Sequence, residues 1–172
     1  VQADALLDKE DTYFDGVGMV AKRNHVPMRE LVWLDKMFLR RLRQLPVTER
    51  RKLLSQLEAA PPRIVIRNYR HPPEWLLPFL KNNYVWLTGS IYIYAPLLQP
   101  GLNRVPLPGR YRVESPSRET RIGNKLVLGG DVVALGGGQF VLSSPAAVRL
   151  VTDVDVEINQ SYHLQRRLFQ NR

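Results

Sequence analysis

The stretch Ala59-Ala60-Pro61-Pro62-Arg63-Ile64-Val65-Ile66 decides how this chain folds. Two consecutive prolines stop any helix that precedes them, because proline has no N–H to donate and drives the residue before it out of helical geometry. The three residues after Arg63 are all apolar and all β-branched, so they form a strand with apolar side chains on both of its sides. Such a strand belongs in the middle of a sheet whose two faces are both covered.

Working outward from it, Leu53, Leu54 and Leu57 form the apolar side of a short helix that Thr48 can cap. Further upstream, Leu31, Leu34, Phe38, Leu42 and Leu45 recur at steps of three and four between Pro27 and Pro46, the stripe of a longer amphipathic helix. Thr12-Tyr13-Phe14 reads as a first strand ending at Asp15-Gly16. Downstream of Pro72-Pro73, Glu74 to Lys81 forms a helix with Trp75, Leu76, Phe79 and Leu80 on its apolar side. Val85 to Leu87 and Ile91 to Tyr94 then supply aromatic and β-branched strands. Strand, helices, strand, helix and strand in this order predict a small α/β domain over 1–98 with an open, mostly parallel sheet.

The character changes at Pro96. Pro96, Pro100, Gly101, Pro106, Pro108 and Gly109 give 96–109 the composition of a linker. Beyond it, short runs at 110–114, 120–122, 125–128, 131–135, 139–142 and 147–151 alternate with glycine turns, which predicts a compact all-β unit, a β-sandwich, over 99–158. The C-terminal tail, 159–172, can form one or two helical turns with Leu164 and Leu168 inward.

The fold class expected is therefore α/β followed by all-β, in a chain of 172 residues that is 44% hydrophobic and 24% charged. These values suit a folded globular chain with a core of its own. With no cysteine, disulfides, thiolate nucleophiles and Cys-based zinc sites are excluded. Val1 in place of a methionine, and no run of about 18 apolar residues, lead us to expect a water-soluble piece of a larger protein.

The formal net charge is +9, and the excess concentrates between Lys36 and Lys52. There Arg40, Arg41, Arg43, Arg50, Arg51 and Lys52 face only Glu49, a patch suited to an anionic membrane surface or another polyanion, although a solvated helix face has the same composition. The aromatic residues Trp86, Tyr92 and Tyr94 are candidates for stacking on sugar rings, against the competing reading that strand aromatics serve the core.

Catalytic motifs do not emerge. Gly16-Val17-Gly18-Met19-Val20-Ala21 matches a dinucleotide-turn pattern, but Pro27 interrupts the helix that the pyrophosphate would need. Asp8, Glu10, Asp11 and Asp15 lack the spacing of a calcium loop, and Asp153, Asp155 and Glu157 alternate as on the solvent face of a strand. The serines lack a nucleophile elbow, and the three histidines are isolated from one another. The expectation is no catalytic residue, no metal and no cofactor.

Three stretches carry a resemblance. They are Asp11-Thr12-Tyr13-Phe14-Asp15-Gly16-Val17-Gly18; then Leu57 to Ile66 followed by Leu80-Lys81-Asn82-Asn83-Tyr84 and Ile91 to Tyr94; and Gly109 to Val113 through Gln139 to Leu142. In this succession the chain resembles the extracytoplasmic C-terminal region of bacterial polytopic glycosyltransferases of the dolichyl-phosphate-mannose mannosyltransferase-like family. The resemblance implies a parent membrane enzyme that takes sugar from a polyprenyl-phosphate donor on the periplasmic side of the inner membrane. The family's catalytic aspartates sit in an external loop that no stretch here matches, so an accessory role is implied. The partners implied are the membrane surface, the transmembrane part of the parent chain, and a glycan or lipid-phosphate. Two alternatives of other classes are a basic nucleic-acid-binding module, disfavoured because the cations are not interleaved with an exposed aromatic platform, and a carbohydrate-binding adaptor.

Overall fold

The computed structural model describes residues 6–7, 11–15, 24–25, 40, 42–66, 72–115, 117 and 119–154, and within them the fold is β-rich. Its first sheet consists of β1 (Thr12–Asp15), β2 (Asn24–His25), β3 (Ile64–Ile66), β4 (Tyr84–Thr88) and β5 (Ile91–Tyr94), in the spatial order β2-β1-β3-β5-β4. The β-branched strand after the two prolines is thus central, with Val65 in register between Phe14 and Tyr92. Ile64 and Val65 are 0% and 2% exposed and belong to two separate apolar clusters, as alternation across a covered sheet requires.

The sheet is mixed, which corrects the expectation of mostly parallel strands. β1 runs parallel to β2 and β3, whereas β3 with β5 and β5 with β4 are antiparallel. The chain enters the sheet edge as β4 and returns at once as β5, and strands joined by a tight hairpin are antiparallel by construction. Gly89 makes that return, at φ 51°, a left-handed geometry that other residues adopt only with strain.

Helix α1 (Val47–Ala59) ends where Pro61-Pro62 requires. Thr48 does not cap it: Pro46 holds the capping position and Thr48 lies in the first turn, since the preceding proline already presets an extended entry. Leu53 and Leu57, one turn apart, are buried. Helix α2 (Leu77–Asn83) continues a 3-10 turn over Glu74–Leu76, and Leu76, Phe79 and Leu80 are buried. The Trp75 indole donates to the Leu42 carbonyl at 3.0 Å, which ties this segment to 42–45. Leu42 and Leu45 of the predicted long helix are buried, while Leu31, Leu34 and Phe38 lie outside the described residues, as do Gly16 to Ala21 and the tail 159–172.

The presumed linker carries structure. It contains β6 (Leu97–Leu98) and β7 (Gly101–Val105), which join β8 (Gly109–Glu114), β9 (Thr120–Ile122), β10 (Lys125–Val127), β11 (Val132–Leu135), β12 (Gly138–Ser143) and β13 (Val148–Thr152). Two antiparallel four-stranded sheets result, ordered β11-β8-β13-β6 and β10-β9-β12-β7. Pro96, Pro100, Pro106 and Pro108 all fall between strands, where a missing N–H breaks no ladder.

The larger of the two apolar clusters spans the whole described fold. It runs from Phe14, Leu57, Val65 and Tyr94 through Val105, Tyr111, Leu142 and Leu150, so all three sheets share it. Polar groups stitch the same junction. Arg149 on β13 donates to the carbonyls of Ala95, Asn82 and Lys81 at 2.7, 3.4 and 3.4 Å, and the Thr152 hydroxyl donates to the Tyr94 carbonyl at 2.7 Å. Two of the three carbonyls that Arg149 meets belong to the end of α2, where helical carbonyls have no partner within the helix. Asp153, expected on a solvent face, has a side chain only 6% exposed and is held between Arg110 and Arg112, each at 3.0 Å. Asp155 and Glu157 lie outside the described residues.

Candidate functional site

Burying Leu53 and Leu57 turns the opposite side of α1 outward. Thr48, Arg51, Lys52, Ser55, Gln56 and Ala59 recur at steps of three and four and form one continuous face. An open, shallow groove, closer to a flat surface than to a cavity, is lined by those six residues. The lining supplies two cations, two hydroxyls and an amide, all able to donate hydrogen bonds, and among the described residues it includes no carboxylate. A surface of this composition suits a phosphate or another anion, which accepts hydrogen bonds and carries negative charge.

The six basic residues singled out in the sequence separate into different roles. Arg51 and Lys52 line the groove, and Arg43 and Arg40 are exposed. Arg41 lies outside the described residues. Arg50 is turned back: its Nε donates to the Leu45 carbonyl at 2.6 Å and a terminal nitrogen to the Arg43 carbonyl at 3.2 Å. It thereby satisfies carbonyls just before the helix and, while keeping its charge, has fewer donors left for an outside anion.

The three candidate aromatic residues also part company. Trp86 and Tyr92 sit opposite each other on β4 and β5, both half-buried, and the Trp86 indole donates to the Gly89 carbonyl at 2.8 Å. Tyr94 is 2% exposed and offers no face to a sugar; it packs edge-on against Tyr84 with ring centroids 5.8 Å apart. Its place is the core, because the face of the sheet that carries Tyr94 is covered by the shared cluster.

A polar network that sequence reasoning missed lies beside Tyr94. Arg63, immediately before β3, donates from Nε to Asp11 Oδ1 at 3.0 Å, with both side chains 11% exposed, and from a terminal nitrogen to the Pro108 carbonyl at 3.1 Å. Nearby, the Tyr111 hydroxyl donates to the Leu107 carbonyl at 2.7 Å and feels the charge of the Arg63 guanidinium. Asp11, weighed in the sequence as one of a run of carboxylates, is therefore occupied by an internal cation. The groups pair across the junction between the first sheet and β8 and are structural.

Burial pushes the Tyr111 phenol up to about 12, with Arg63 pulling it partly back, and burial raises Tyr84 and Tyr94 as well. These tyrosines are thus kept neutral in the folded state while the unfolded chain ionises them near pH 10. Stability is fully present below pH 10 and falls as pH rises toward the folded values, by about 1.4 kcal/mol per pH unit for each such tyrosine. The urea midpoint is expected to hold steady up to pH 9.5 and drop steeply above 10, with a shallower slope in Tyr111→Phe. A midpoint that stays level to pH 12 would contradict the buried, neutral phenols.

No protein-family model, no curated protein and no solved structure matches this chain.

Proposed function

We propose that this chain is an accessory, non-catalytic domain of a bacterial membrane glycosyltransferase that draws its sugar from a polyprenyl-phosphate carrier. In this reading it lies on the periplasmic side of the inner membrane, beside the transmembrane part of its parent chain, and α1 holds it against a phosphate-bearing surface. The observation that carries the proposal is the groove along α1, where Arg51 and Lys52 stand among hydrogen-bond donors. The three stretches that resemble the glycosyltransferase region give the proposal its enzyme class.

The finer architecture belongs to the same proposal: an α/β unit over 1–98 followed by a β-sandwich over 99–158. In its favour, among the described residues no strand of the first sheet pairs with a strand of the other two, and only β6 at the end of 1–98 pairs into the second unit. Both units contribute side chains to the shared cluster, and the first carries α1.

Among the described residues no helix is long and apolar enough to cross a membrane, so attachment by this part would be peripheral. Each cation at an anionic surface contributes about 1 kcal/mol, which makes binding by the α1 face weak and salt-sensitive. Cosedimentation with phosphatidylglycerol vesicles tests this. Reversing two charges in Arg51→Glu/Lys52→Glu is expected to lower partitioning at low salt at least tenfold. Partitioning equal to that of the unaltered chain would reduce the α1 face to a solvated helix side.

A further inference from the structure

The sheet ordered β10-β9-β12-β7 has one face in the core and one outside. Val105, Thr120, Ile122, Val127 and Leu142 are buried, so the alternate residues Leu102, Arg104, Arg121, Leu126, Gln139, Val141 and Ser143 point outward. Soluble sheets normally place polar side chains on such a face. Here Leu102, Val141 and Leu126 are 54% to 70% exposed, and Leu128, just past β10, is 50% exposed.

The register fixes their arrangement. Val141 lies directly opposite Leu102, Gln139 opposite Arg104, and Arg121 opposite both Ser143 and Leu126. The Val141–Leu102 pair therefore lies between the row of Arg104 and the row of Arg121, and Leu126 stands beside Arg121 on the edge strand. Adjacent strands are about 4.8 Å apart, so four strands give the face a width of roughly 14 Å.

The charge is one-sided. The four strands contain Arg104, Arg121 and Lys125 and no aspartate or glutamate. In the other antiparallel sheet the arginines are engaged: Arg110 and Arg112 pair with Asp153, and Arg149 binds backbone carbonyls. Among the described residues Arg104 and Arg121 have neither an ion-pair partner nor a side-chain hydrogen bond.

We infer that this outer sheet face is a second membrane-contact surface, which seats Leu102, Val141, Leu126 and Leu128 at the interface of an anionic bilayer while Arg104 and Arg121 meet its phosphates. A bilayer is the occupant that the combination fits. Exposed leucines and valines gain by leaving water for the acyl boundary, and arginines free of carboxylates meet lipid phosphates bidentately. A face that carries exposed apolar side chains and arginines together offers both contacts. The inference rests on the proposed membrane-surface role, but it assigns that role to residues outside α1.

The two surfaces differ in their response to salt. Attachment through α1 is electrostatic and is screened out at 1 M, where the Debye length is about 3 Å, whereas the apolar part of the sheet face is not screened. The experiment compares the whole chain with Leu102→Ser/Val141→Ser, Arg104→Glu/Arg121→Glu and Arg51→Glu/Lys52→Glu on phosphatidylglycerol and phosphatidylcholine vesicles, at low and high salt. All six positions are exposed, so unchanged melting curves are expected and are checked first. The expected result is an about tenfold loss of partitioning in each sheet-face variant, with Leu102→Ser/Val141→Ser abolishing the salt-resistant part.

Sheet-face variants that bind like the unaltered chain, while the α1 variant loses binding, overturn this inference and leave the α1 reading standing. Loss confined to the sheet-face variants upholds it and removes α1 from contact. An unaltered chain that binds no anionic vesicle defeats both. A chain that dimerises through this face, with monomeric variants that still bind vesicles in full, assigns the surface to a second copy and also overturns the inference.

Discussion

Val65→Asp is expected to destabilise the chain by about 4 kcal/mol or more, enough to unfold a domain of ordinary stability. Val65 is 2% exposed at the centre of the five-stranded sheet, in register with Phe14 and Tyr92. Around it the shared cluster brings apolar side chains from both helices and all three sheets, so a carboxylate placed there is buried out of water. Val65→Ala is the milder companion: it leaves a cavity without a charge, and its cost should be about 2 kcal/mol. Urea denaturation followed by circular dichroism reads both. An unchanged midpoint for Val65→Asp would mean that the sheet is open on that face.

The second large effect is expected at Arg63. Truncation to alanine takes the Arg63 cation away from the Asp11 carboxylate, removes the donor to the Pro108 carbonyl and withdraws the positive charge near the Tyr111 hydroxyl. Removing one member of a pair this buried costs about 3–5 kcal/mol, because the remaining charge has lost its compensation. Replacing both members, as Arg63→Met/Asp11→Leu, should recover most of the loss, since an apolar pair has no charge to desolvate. Denaturation midpoints of the two single variants and the double variant complete a cycle. Costs that simply add would show that the two side chains do not act as a pair.

How far these features were legible depends on how local their signals are. The central strand could be read because three β-branched residues after two prolines carry the signal within six positions. The β4–β5 hairpin was visible as strands, but their direction was not, since strand composition alone says nothing about which neighbour a strand pairs with. The 96–109 segment misled because prolines at its element ends look the same in sequence as prolines in a linker. Gly101–Val105 has only two apolar residues, Leu102 and Val105, and one of them points outward.

The Arg63 network was illegible for another reason: Arg63 and Asp11 are 52 residues apart, and Arg63 and Pro108 are 45 apart. A single arginine between a proline pair and a strand has no periodicity to reveal its partners. Within the basic patch, charge counting grouped six cations by their nearness in sequence and could not foresee that Arg51 and Lys52 share a helix face while Arg50 turns back to backbone carbonyls. For the aromatic residues, the period of two put Tyr92 and Tyr94 on the same face. Only the packing decides that Tyr94 is covered while Tyr92 and Trp86 keep part of their surface.

The most direct measurement is the partitioning of the unaltered chain onto vesicles of increasing phosphatidylglycerol content at a fixed, moderate salt concentration. An accessory domain that rests on a phosphate-bearing surface should stay in the supernatant with phosphatidylcholine alone and bind progressively as the anionic fraction rises, with most of that binding lost on adding salt. Equal partitioning onto neutral and anionic vesicles, or none onto either, would contradict it.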